Sequence, residues 1–196
     1  AFKYENLFLW FDACLFDQSM LSHILACLKL LMNEKAGLIC VDSFPGIEPY
    51  HGLGQLQPEH LSSMAHRHQE VTHDQFMFAT RVDHAFAMQD QKEFVDLAQS
   101  SDAPLPWIPA AIRRWMQEQP DDVTGLGRLE KLALEAIRAD CRRPAEIFNQ
   151  VAINDTPPQF WGDITLWAKI NGLAKRDPPL VHIEGPSPWL PQWSGI

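Results

Sequence analysis

Two stretches near the start of the chain, NLFLWF (6–11) and AGLICV (36–41), are continuous apolar runs of strand length that do not alternate with polar residues. Runs of this kind form strands buried on both faces, as in a parallel sheet. Between them Met20, Leu21, Ile24, Leu25, Leu28, Leu31 and Met32 recur at helical spacing, which predicts a helix over 18–33 capped by Asp17. Strand, crossover helix and strand make one βαβ unit, the opening of an α/β fold with a Rossmann-like parallel layer. Two parallel strands do not make a stable sheet, and the pattern offers no further strand before residue 180. The layer is therefore expected to be truncated at its N-terminal side, with neighbouring strands supplied from upstream of Ala1 or by another subunit.

Beyond Val41 the periodicity lapses into a long Gly- and Pro-rich loop, DSFPGIEPYHGLGQLQPEH. Helices are expected over 58–65, 72–88, 92–99 and 109–119. EQPDDVTGLG (118–127) reads as a linker, dividing the chain into an α/β part with a helical extension, 1–120, and a second domain, 121–196. There RLEKLALEAI, RPAEIFNQVA and GDITLWAKINGLA predict three helices, with Pro144 in the first turn of the second and Asp163 capping the third. A short strand, LVHIE (180–184), closes the pattern, and three helices followed by a strand is the order of a winged helix. Leu166, Trp167, Ile170 and Leu173 are core by spacing, and Trp189 and Trp193 are expected to pack against the body.

Four segments, LWFDACLFDQSML, LICVDSFPGIEPYHGLGQLQPEHL, APLPWIPAAIRRWMQEQP and FWGDITLWAKINGLAKRDPPLV, together span nearly the whole chain. In that order they resemble the bacterial domain-of-unknown-function 1835 family with its C-terminal companion domain. FPG (44–46) with GLGQL (52–56) is the most specific part of the likeness. The resemblance implies a Rossmann-like N-terminal layer joined to a winged-helix-like end, and it supplies a fold without a reaction. Members usually carry a further segment before the LWF strand, in keeping with strands upstream. Where the family's strand usually ends in Glu-His-Asp, this chain has Asp12, Ala13 and Cys14, so most of any His-Asp metal or acid-base element is lost.

Composition narrows the functions. A chain of 196 residues, 46% hydrophobic and 21% charged, is that of a globular protein able to bury a core without disulfides or metals. The longest apolar run, LSHILACLKLLM (21–32), is interrupted by Ser22, His23 and Lys29 and is too short to span a bilayer, which argues against a membrane role. Cys14, Cys27, Cys40 and Cys141 form no CxxC pair and no disulfide framework, pointing to a reducing, cytoplasmic setting. The net charge of −9 comes entirely from residues 1–123, with eight Lys/Arg against seventeen Asp/Glu; residues 124–196 carry eight of each. An acidic first part repels phosphate backbones, so any nucleic-acid contact belongs to the C-terminal part.

The chemistry-bearing residues gather first at the βα junction. The C-terminal end of a parallel strand, facing a helix N-terminus, is where open α/β sheets bind ligands and where backbone amides favour anions. Asp12, Cys14, Asp17 and Gln18 lie there, with His51, Gly52, Gly54 and Gln55 of the loop as a shaped lid beside the crevice. As plain structure, Asp17 is a cap and Asp12 a solvated loop acid. Cys14 would be a nucleophile if the helix N-terminus lowered its pKa and His51 served as base. Five of the eight histidines fall within 51–73, but His66, His68 and His73 lack the spacing of zinc ligands, so no metal site is assigned. In the third C-terminal helix Thr165, Lys169, Asn171 and Lys175, with Arg176 just beyond, would face DNA, a weak footprint with Asp163 and Asp177 nearby.

These features favour a regulatory or interaction protein with a small polar or anionic ligand in the crevice and a protein partner, or a second copy, on the winged domain. An enzyme acting through Asp12, Asp17 and Cys14 or His51 competes with it, and a DNA-binding regulator is the third reading.

Overall fold

The structure, a computed structural model, describes residues 7–33 and 35–191. The βαβ unit is present: β1 (Phe8–Asp12), α1 (Leu15–Leu30) and β2 (Gly37–Val41), with β1 and β2 parallel and in register from Phe8 opposite Gly37 to Asp12 opposite Val41. Strand alternation sends Trp10, Ile39 and Val41 to one face, where Leu56 and Met64 pack on them. Leu9, Phe11, Leu38 and Cys40 occupy the other, and Gln18 of α1 reaches Cys40 there.

A third strand escaped the pattern. β3 (Gln69–Glu70) pairs antiparallel with β2, Gln69 opposite Leu38 and Glu70 opposite Gly37, giving a mixed sheet in the order β1-β2-β3. Two exposed polar residues carry no hydrophobic signal. Because β3 is so short, the last three residues of β2 have no strand partner on that side, and among the described residues none lies beyond β1.

The crossover helix begins three residues earlier than its spacing predicts, with Cys14 and not Asp17 at the N-cap. Its buried face is Leu15, Gln18, Leu21, Ser22, Leu25, Ala26 and Leu28, while Met20 is 51% and Leu31 64% exposed. Met32 lies past the helix end in a left-handed conformation, 93% exposed. With Asp17 and Lys29 its only charges, α1 is apolar on nearly every side, and spacing could not select the face that turns inward.

The first unit, Ala1–Trp115, is completed by α2 (Pro58–Met64), α3 (His73–Met88), α4 (Gln91–Gln99) and α5 (Trp107–Met116), the last ending just past the division. Thr72 and Gln75 exchange capping bonds at the start of α3, and Asp90 accepts from Lys92 and Glu93 at the start of α4. Phe94 meets Phe86 and Trp115 edge-on at 5.1 and 4.9 Å, joining α3, α4 and α5.

The second unit, Met116–Ile196, contains α6 (Arg128–Arg138), α7 (Pro144–Asn154) and α8 (Asp163–Ala174) around Leu129, Ala133, Ile147, Val151, Leu166, Trp167 and Ile170. Residues 118–127 are not a free linker. Gln117 accepts from the Arg128 N–H at 2.9 Å, and Asp121 accepts from the N–H groups of Val123 and Thr124 while pairing with Lys131.

The strand expected over 180–184 does not form, and no strand is present among the described residues of this unit. The Leu180 N–H instead bonds Leu173 at the end of α8, and Pro178, Pro179 and Pro186 around the segment have no N–H to offer a ladder. Val181 and Ile183 do point inward onto the helical core, so the alternation is real without the pairing. Trp189 stays 43% exposed beneath the Lys175 ammonium, 4.7 Å from its ring centroid. Trp193 lies outside the described residues.

Candidate functional site

The junction between β1 and α1 brings together most of the residues the sequence singles out. Asp12 accepts the Leu53 N–H with both carboxylate oxygens at 2.9 Å and the Tyr50 hydroxyl at 2.8 Å. Gly52 makes this approach feasible: its φ is +143°, and a Cβ there would stand 2.7 Å from Asp12 Oδ2. Asp17 turns back to accept the Asp12 N–H at 2.6 Å. Gln18, 2% exposed, donates to the Asp12 carbonyl at 2.6 Å and to Cys40 Sγ at 3.3 Å. Among the described residues its Oε1 is a buried side-chain atom left without a hydrogen-bond partner.

Asp12 is thus not a solvated acid but a clasp that holds the loop to the end of β1. Burial pushes its carboxyl above the usual 3.8, against the bonds from Leu53 and Tyr50 that favour the charge. The same burial and the adjacent carboxylate hold the Tyr50 phenol well above its ordinary range, so it remains a donor. Within the loop, the His51 N–H bonds Gln55 Oε1, and Gln55 donates on to the Pro49 carbonyl. Gly54 faces open space.

Cys14 is half-buried, and desolvation pushes its thiol up, opposite to the activation a helix N-terminus would give. No hydrogen bond joins it to His51, which is exposed. Cys40 is pushed up further by the same cause. The junction has the predicted members, together with Tyr50 and Leu53, which the sequence reading missed, and they are bonded to one another.

One strand over lies a cavity of about 260 Å3, lined by Leu38, Ile39, Cys40, Val41, Asp42, Ser43, Met64, Arg67, Gln69 and Trp107. It opens along the side of β2 that β3 leaves uncovered, at the C-terminal end of a parallel strand. The Val41 carbonyl accepts from Ala13 on the β1 side. Alternation therefore turns the N–H and C=O of Cys40 the other way, toward the cavity. Arg67 makes no ion pair among the described residues, and Asp42 accepts only from the neighbouring Ser43 hydroxyl, at 3.1 Å. Trp107 and Met64 supply apolar wall.

Sequence reasoning did not find this cavity, because Asp42, Arg67 and Trp107 meet only through the fold. One signal was legible: Arg67 is the single Lys or Arg between Lys35 and Arg81.

In the helical unit the DNA-facing candidates are engaged internally. Lys169 Nζ lies 3.9 Å from Glu118, Lys175 covers Trp189, and Arg176 donates to the Gly125 carbonyl at 3.0 Å with Glu130 at 3.8 Å. Asn171 is 1% exposed, and its amide both donates to and accepts from the Leu190 backbone. Thr165 is half-buried. Asp155, whose side chain is fully buried, takes Arg128 Nε at 2.6 Å and the Trp161 indole N–H at 2.7 Å.

Among the described residues no three of His, Cys, Asp and Glu converge to hold a metal ion, and no helix is long and apolar enough to cross a membrane. His68 instead packs edge-on against Phe8, and His60 lies against Phe44. Comparison with family models, with curated proteins and with solved structures finds no match.

Proposed function

We propose that the first unit is a binding module for a small polar ligand, seated in the cavity beside β2, and that the protein acts as a regulatory or interaction protein through it. The observation that carries this reading is the state of the polar groups. Among the described residues Arg67 with no ion pair, Asp42 accepting only from Ser43, and the Cys40 main chain with no strand partner on that side line one concave space, while at the junction only Gln18 Oε1 is left without a partner. A concave site with an aromatic wall and a few convergent polar groups is the usual form of a small-molecule pocket. The site thus moves one strand from the first βα junction and keeps the strand end that α/β sheets use for ligands.

The helical unit serves contact with protein in this reading, since its cations are held by Glu118, Trp189 and Glu130 and offer little to a phosphate backbone. Membership of the domain-of-unknown-function 1835 family, a Rossmann-like layer, a winged-helix-like end and a cytoplasmic setting belong to the same proposal. An enzyme working through Asp12, Asp17 and Cys14 is less well supported, because the carboxylates are engaged and the thiol is held protonated.

The test is a screen of a broad metabolite and fragment library against the 15N-labelled protein, read by amide chemical shifts. Binding that moves residues 39–43, Arg67 and the Trp107 indole supports the module; shifts confined to Asp12, Tyr50 and Leu53, or none, sink it.

A further inference from the structure

The cavity holds two side chains of opposite charge, Asp42 and Arg67, and no ion pair joins them. A simple anion would satisfy the guanidinium and leave the carboxylate facing like charge. A simple cation would do the reverse. The ligand that satisfies both carries both charges, and the edge of β2 lining the same cavity, unpaired by β3 beyond Leu38, offers one N–H and one C=O from Cys40, a donor and an acceptor.

Size narrows the class further. About 260 Å3 falls just under the ~300–1,000 Å3 of drug-sized pockets. It is too small for a dinucleotide and accommodates a molecule of amino-acid dimensions.

From this convergence we infer that the cavity takes a free α-amino-acid-like zwitterion, its carboxylate on Arg67 and its ammonium on Asp42. The planar guanidinium offers two parallel N–H donors to a carboxylate, which a lysine could not match. Asp42, already accepting one hydrogen bond from Ser43, keeps lone pairs for the ammonium. Trp107 and Met64 face the ligand's side chain and favour an apolar one, and Gln69 completes the polar rim. The inference rests on the binding-module reading and names its ligand class.

The experiment uses three pools on the 15N-labelled protein: the twenty proteinogenic L-amino acids, the corresponding 2-oxo acids, and the corresponding decarboxylated amines. The amino-acid pool should move the Cys40, Asp42 and Arg67 amides and the Trp107 indole, with the other two pools at least tenfold weaker. Asp42→Asn and Arg67→Ala should each weaken the response at least tenfold; both residues are exposed, so neither change threatens the fold. If 2-oxo acids or amines bind as well as amino acids, the zwitterion assignment is wrong while the binding module stands. If no pool moves these residues, the assignment falls, and the broad library screen decides the module separately.

Discussion

The βα junction and the cavity beside β2 lie on adjacent strands and draw on similar residue types, yet they are opposite in state. At the junction Asp12, Asp17, Gln18, Tyr50 and the Leu53 N–H close on one another with only Gln18 Oε1 left over, and the helical unit repeats this closure around Asp155, Arg128 and Trp161. In the cavity, among the described residues, Arg67 has no ion pair, Asp42 accepts only from the adjacent Ser43 hydroxyl, and the Cys40 main chain has no strand partner on that side. A cluster whose polar groups are mutually satisfied holds a fold together, whereas convergent groups left open are what a ligand can use. Position at a strand end singled out both regions, and hydrogen-bond bookkeeping separates them.

The contrast can be broken most severely in the helical unit. Asp155→Ala removes the acceptor of Arg128 Nε and of the Trp161 indole N–H, while Arg128 keeps the Asn154 carbonyl and the Thr156 hydroxyl; losing one charge-assisted and one neutral buried hydrogen bond costs about 2–4 kcal/mol. Urea unfolding followed by circular dichroism should show that loss; a cost under about 1 kcal/mol would mean the pair is not structural.

Gly52→Ala comes next. It forces a side chain to adopt φ +143° and drives its Cβ into Asp12, at a cost of about 1–3 kcal/mol for the backbone alone. Hydrogen exchange at the Leu53 amide should accelerate, and unchanged protection there would show that the clasp does not hold the loop.

The two units should also titrate in opposite senses. Asp12 has a raised pKa, so the folded state binds its proton more tightly than the unfolded state does. Its term favours folding at low pH and is lost as pH rises from 3.8 through the folded value. Asp121 is half-buried, and its carboxyl is held well below the usual range by Lys131 and Thr124. Its term is present above 3.8 and lost as pH falls toward the folded value. Unfolding midpoints between pH 3 and 7 should therefore decline less on alkalinisation in Asp12→Asn and less on acidification in Asp121→Asn. Identical profiles in wild type and Asp12→Asn would remove the burial argument for the clasp.

The smallest effect belongs to the cavity. Arg67→Ala and Asp42→Asn touch no satisfied network and should leave stability within about 0.5 kcal/mol of wild type. A loss well beyond that would place these residues with the junction as structural.

Legibility in the sequence followed the same division. The parallel βαβ start was readable because a strand buried on both faces leaves an uninterrupted apolar run, as GLICV does, and LFLWF reads the same way although Leu7 and Phe8 stay exposed. The α1 register was not, because Met20, Leu31 and Met32 are as apolar as the face that turns inward. The strand expected over 180–184 is absent for another reason: Val181 and Ile183 alternate toward the core like strand residues, but no partner strand stands beside them among the described residues. At the junction the sequence indicated location and members but not occupancy, since Tyr50 and the Leu53 N–H reach Asp12 across about 40 residues. The cavity depended on β3, two polar residues that bring Arg67 and Gln69 against β2, and nothing short of the fold announces them.

The most direct test of the open cavity as binding site is the amino-acid pool titration on wild type, Arg67→Ala and Asp12→Asn side by side. The account predicts that Arg67→Ala loses binding at least tenfold while Asp12→Asn, with a looser loop, retains it. Loss in Asp12→Asn with full binding in Arg67→Ala would return the site to the junction and contradict the account.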